Sequence, residues 1–68
     1  MIRLKVKEYA EQQGLNIAQL ARRADIDHRT VSRIFRNPHQ EISMPVLVKL
    51  AKALNVAPAD LFEVIEDN

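Results

Sequence analysis

The sequence predicts an all-α fold, and three observations carry that prediction. Apolar residues recur at helical spacing along most of the chain. Glycine appears once and proline three times in 68 residues, which leaves little room for loops. Asn16, Asp27 and Ser43, three good helix-capping residues, each stand directly before a helix-patterned stretch.

A chain of this length forms one domain, residues 1–68, and buries only roughly 60% of the surface its unfolded form exposes. Apolar residues make up 47% and charged residues 28%, which is globular rather than disordered. Cysteine is absent, so disulfides and thiolate metal sites are excluded and no oxidising compartment is needed. No apolar run approaches the ~20 residues of a membrane span, and residues 1–10 alternate charge with apolar groups instead of carrying a signal-peptide core. These features predict a soluble, unexported, cytoplasmic protein with no membrane partner.

The net charge of +1 conceals a split. Residues 1–40 hold eight Lys or Arg against four Asp or Glu, giving +4, whereas residues 41–68 hold two against five, giving −3. The basic part is the candidate for meeting an anion.

Five helices follow in order. Val6, Tyr9, Ala10 and Gln13 predict a first helix over about 5–13, ended by Gly14 in a left-handed conformation. Before it, Ile2 and Leu4 alternate with Arg3 and Lys5, which fits a short extended arm (residues 1–4) or an early helical turn equally. Asn16 caps a second helix over about 17–24, where Ile17, Leu20, Ala21 and Ala24 form one apolar stripe. Asp25 supplies a left-handed turn, Ile26 an apolar turn residue, and Asp27 the cap of a third helix over about 28–36. Asn37-Pro38 stops that helix, and residues 37–42 form a polar connector. Ser43 caps a fourth helix in which Leu47, Leu50, Ala51 and Leu54 pack inward, with Asn55 as its left-handed terminator. Pro58 starts a short fifth helix with Leu61, Phe62 and Ile65 inward, although Ala57 is a poor cap. Residues 64–68 form an acidic tail expected to fray.

The third helix carries the functional signal. At roughly 100° per residue, Val31, Ile34 and Phe35 share an arc of about 100° and face the core. His28, Ser32, Arg36, Arg29 and Arg33 occupy the opposite arc in that angular order. Arg29, Arg33 and Arg36 stand at i, i+4 and i+7 with no carboxylate on the helix placed to pair with them. Three such cations want an anionic partner, and arginine forks match the N7 and O6 acceptors of guanine in a DNA major groove. The solvated-face reading of an arginine stripe is the main competitor.

Residues 15–37, LNIAQLARRADIDHRTVSRIFRN, resemble the helix-turn-helix of the phage-repressor and Cro family, also called the xenobiotic-response-element family. Leu20-Ala21 match its paired apolar positions, Ile26 the buried turn residue, and Thr30-Val31-Ser32-Arg33-Ile34 the recognition-helix signature. Residues 43–62, SMPVLVKLAKALNVAPADLF, resemble the helices that follow. The resemblance implies a compact five-helix, lambda-repressor-like bundle whose helix-turn-helix is formed by the second and third helices. It departs from the family at Asp25, where Gly is usual, and at Ile17, where Gln is frequent.

By that resemblance His28, Arg29, Ser32 and Arg33 are the candidate base-contacting residues. Asn16, Arg36, Asn37, His39 and Gln40 are the candidate phosphate contacts. The function implied is sequence-specific double-stranded DNA binding as a transcription regulator, with repression needing the least extra machinery, acting as a homodimer and associated with the nucleoid when bound. The alternative is an antitoxin-like or adaptor module on the same fold, with a toxin or other protein as partner. Catalysis is set aside: one glycine builds no phosphate-cradling loop, and neither Ser32 nor Ser43 sits in a nucleophile elbow. His28 and His39 make no recognisable metal site, and no cofactor is expected.

Overall fold

The computed structural model describes residues 1–66. Its order is β1 (Ile2–Leu4), α1 (Val6–Gln12), α2 (Ile17–Ala24), α3 (His28–Arg36), α4 (Met44–Leu54), a 3-10 turn (Pro58–Leu61) and β2 (Phe62–Val64). The first four helices fall within two residues of the boundaries read from periodicity and caps.

Three helix ends share one device. Gly14, Asp25 and Asn55 all have left-handed backbone, with φ of 71°, 57° and 57°. In each case the next amide reaches back to the final turn: Leu15 N–H to Ala10 O at 2.8 Å, Ile26 N–H to Ala21 O at 3.0 Å, and Val56 N–H to Ala51 O at 3.0 Å. This is the Schellman closure, and the residue donating each bond is apolar and turns inward. Leu15 is buried, and Ile26 and Val56 are half-buried against the core. The device turns the chain sharply after α1, α2 and α4, and so decides which helices become neighbours.

The core is built from Leu4, Val6, Ala10, Leu15, Leu20, Val31, Ile34, Leu50, Leu54 and Leu61 together with small Ala21, Ala24 and Ala51. Among the described residues no polar or charged side chain is buried. α2 packs against both α3 and α4, while α1 packs against α3 and α4. Gln13 ties α1 to the end of α4 by donating from Nε2 to Leu54 O at 2.7 Å.

Two expectations need correction. The five-helix count does not hold: among the described residues there are four α-helices, and Pro58–Leu61 is a single 3-10 turn. The fold is therefore mostly helical rather than all-α. Leu61 is buried and Phe62 packs partly against the core, as expected, but Ile65 is exposed. The reason lies at the other end of the chain. Residues 2–4 take the extended form of the two left open, and β2 pairs with them antiparallel in the register Ile2↔Val64, Arg3↔Glu63, Leu4↔Phe62. Lys5 N–H to Leu61 O (2.7 Å) and Ile65 N–H to Met1 O (2.7 Å) close the ribbon at either end. A one-turn helix leaves most of its amides unpaired, whereas the ribbon bonds alternate residues of the two ends of the chain to each other. Val64 and Ile65, at the start of the acidic tail, are thus held in or beside the sheet, and residues 67–68 lie outside the described residues.

Candidate nucleic-acid interface

Two capped helix starts organise the site. Asn16 accepts the Gln19 amide on Oδ1 at 2.8 Å, and the Gln19 side chain accepts the Asn16 amide at 2.9 Å, a reciprocal capping box. Gln19 was not singled out from the sequence, although an Asn followed three residues later by Gln is the signal for it. Asp27 caps α3 by accepting the Arg29 amide at 2.7 Å. The bond orients the first turn of α3 and leaves the Arg29 side chain exposed.

Between the two starts the chain reverses through Asp25 and Ile26, so the N-terminus of α3 comes beside α2. His28, exposed at the first position of α3, lines one cleft with Asn16, Ile17 and Ala18 and another with Ala21, Arg22 and Asp25. The structure thus brings together Asn16 and His28, which are twelve positions apart in sequence.

Along α3 the inward set is as expected: Val31 is fully buried, Ile34 nearly so, and Phe35 packs partly against the core. Arg29, Arg33 and Arg36 are exposed, and Ser32 is half-buried between them and the core face. Spacing of i, i+4 and i+7 confines the three arginines to an arc of about 60°. Among the described residues the ion pairs are Arg3–Glu8 and Arg3–Glu63, so Arg22, Arg23, Arg29, Arg33 and Arg36 have no carboxylate partner. Those two carboxylates, Glu63 by its hydrogen bond first, hold the Arg3 guanidinium above the usual arginine range.

At the far end of α3, Asn37 accepts the His39 amide on Oδ1 at 3.2 Å, a local turn that leaves both residues exposed. Asn16 and Asn37 share a property: each spends its carbonyl oxygen on the backbone, which leaves the side-chain NH2 as an outward donor. Gln40 departs from the group. It is half-buried and lines an apolar groove of about 260 Å³ with Ile2, Leu4, Ile42, Met44 and Phe62. The arrangement presents an exposed basic face of helix with hydrogen-bond donors at both ends. Among the described residues no cluster of three His, Cys, Asp or Glu is placed to hold a metal ion. No helix of the described residues is long and apolar enough to cross a membrane.

A family model described as helix-turn-helix matches residues 6–61, from the first residue of α1 to the end of the 3-10 turn. No curated protein matches the chain. With the capped helix pair at its centre and the match running over four helices, the chain belongs to the Cro/C1-type helix-turn-helix family of DNA-binding regulators.

Proposed function

We propose that this chain is a sequence-specific double-stranded-DNA-binding transcription regulator, most simply a repressor, that inserts α3 into the major groove. One observation carries the reading: Arg29, Arg33 and Arg36 stand exposed on one arc of a capped helix, with no carboxylate partner among the described residues. Exposed guanidinium groups held on a rigid helix suit bidentate recognition of guanine. Arg29 and Arg33, with His28 and Ser32, read base edges. Asn16, Arg36, Asn37 and His39 set the docking register on phosphates, and Gln40, turned toward the apolar groove, contributes least. Blocking a promoter asks nothing more of the domain than occupancy. The protein works in the cytoplasm, on the nucleoid when bound.

A homodimer fits this reading, since two copies on a palindrome double the readout. Its support is a concentration of exposed apolar side chains. Met1, Ile2, Val64 and Ile65 lie on or beside the sheet, and Met44 lines the same groove as Ile2. With Leu61 and Ile65 bonded toward β1, the amides and carbonyls of Phe62 and Val64 point outward along an open strand edge. Val64→Lys is then expected to turn a dimer into a monomer of unchanged fold, read by sedimentation or light scattering.

Selection of bound sequences from random duplex DNA, with wild type, Arg29→Ala and Arg33→Ala, tests the function. An enriched palindrome whose guanine preference relaxes in either variant supports sequence-specific regulation. No enrichment above random sequence, with no salt-dependent binding, sinks it and moves the reading to an antitoxin-like or adaptor module with a protein partner.

A further inference from the structure

Arg36 ends α3 beside a cleft that also holds charges from the other end of the chain. Arg3 of β1 and Glu8 and Glu11 of α1 line that cleft with Arg36 and Pro38. Lys7 completes its charged lining, for three cations against two carboxylates. Either carboxylate would neutralise Arg36 on pairing with it, and none of the ion pairs of the described residues involves Arg36.

Glu8 is already engaged. Arg3 Nη2 lies 2.5 Å from Glu8 Oε2, and the other nitrogen, Nη1, lies 2.9 Å from Glu63 Oε1. Backbone pairing fixes this arrangement. Arg3 stands opposite Glu63 in the sheet, and the next residue, Leu4, donates its amide to Pro38 O at 2.6 Å, two residues beyond Arg36. The guanidinium is therefore delivered to Glu8 by a strand anchored on both edges. The planar guanidinium fork lets one ordered side chain make both contacts, so less entropy is lost per hydrogen bond.

We propose that Arg3 is a positioning residue for DNA binding: by occupying Glu8 it removes one of the two cleft carboxylates that could neutralise Arg36, and so leaves the Arg36 guanidinium more available to a phosphate. The inference rests on the DNA-binding reading above. It assigns a function to a surface ion pair whose contribution to stability is small. It also gives the β1–β2 ribbon, distant in sequence from the recognition helix, a part in affinity.

The test measures affinity for the selected duplex against salt for four proteins: wild type, Arg3→Ala, Glu8→Gln and the double variant Arg3→Ala/Glu8→Gln. Arg3→Ala is expected to weaken binding about three- to tenfold and to lower the salt slope by about 1, the signature of one lost phosphate contact, with base preference unchanged. The double variant restores the net charge and frees Arg36, so binding returns to within about twofold of wild type. Glu8→Gln alone binds as well as wild type or better, and this variant keeps the test decisive if Arg3→Ala unfolds.

Arg3→Ala with wild-type affinity overturns the inference. A double variant as weak as Arg3→Ala also overturns it, because Arg3 then meets phosphate itself. Weakened binding by Glu8→Gln does the same. If wild type shows no salt-dependent duplex binding, the DNA-binding reading falls and the inference with it. Any of these three departures by the variants, alongside normal wild-type binding, overturns the inference alone.

Discussion

The backbone amide of Leu4 donates to the carbonyl of Pro38 across 2.6 Å, joining the first strand to the segment that leaves the recognition helix. Leu4 is also buried, at 3% exposure, in the common core. The arm is thus part of the fold. Leu4→Ala is expected to cost about 2–5 kcal/mol through lost burial and the cavity left behind. A domain this small holds only about 3–5 kcal/mol in reserve, so the variant loses a large share of it or all of it. Urea unfolding followed by circular dichroism measures it, and a loss under 1 kcal/mol would detach β1 from the core.

Asp25 turns the chain between α2 and α3 with φ of 57°, a conformation that costs a residue with a Cβ and costs glycine nothing. Its side chain makes no hydrogen bond or ion pair among the described residues. Asp25→Gly is expected to stabilise the fold by about 0.5–1 kcal/mol, raising Tm by about 2–8 °C in a domain of this size. A fall in Tm would show that the carboxylate has a role in the turn.

Gly14, at φ of 71°, is the converse case. A Cβ added there meets nothing within 4 Å, so strain of the backbone is the whole penalty. Gly14→Ala is expected to lose about 1 kcal/mol, and Gly14→Asn less, since asparagine tolerates the left-handed region. Equal losses for the two would mean that something other than backbone conformation is at issue.

Asp27 holds the start of α3 through its 2.7 Å bond to the Arg29 amide. Asp27→Ala is expected to cost about 0.5–2 kcal/mol in stability, and Asp27→Asn much less, because both Asp and Asn cap well. The Asn variant also removes a negative charge beside the proposed DNA face. It should bind duplex DNA more tightly at low salt, with the gain shrinking as salt rises. Fluorescence anisotropy at two salt concentrations reads both effects.

Arg29 and Arg33 are expected to differ from Arg36 in kind. Alanine at either of the first two relaxes preference for a particular guanine by about 1–3 kcal/mol. Alanine at Arg36 weakens all sequences alike and lowers the salt slope by about 1. Loss of base preference on replacing Arg36 would put that residue in the groove and move the docking angle of α3.

Much of this was legible in the residues because it is local. Three helix starts use a side-chain acceptor within three residues, and Asn16, Asp27 and Ser43 supply it where expected. Three helix ends use one left-handed residue followed by an apolar one, and Gly14-Leu15, Asp25-Ile26 and Asn55-Val56 provide that pair. The stripe on α3 follows from the helical repeat alone, so its buried and exposed faces could be assigned before any contact was known. Gln40 was less legible. A connector residue has no periodicity to say which way it turns, and contacts with β1 and β2 decided that it lines the apolar groove.

The sequence by itself determined the four α-helices, their caps and turns, and which side of the third carries the arginines. Each is settled by interactions spanning a few residues. Only the tertiary structure decided the conformation of the two ends. Ile2-Arg3-Leu4 fits a strand or a helical turn, and Leu61, Phe62 and Ile65 fit a helix face while Phe62-Glu63-Val64 also alternates. Neither three-residue segment is stable alone, because an unpaired strand satisfies none of its own backbone groups. Each becomes a strand because the other, sixty residues away, offers matching amides, carbonyls and, at Arg3 and Glu63, an opposite charge.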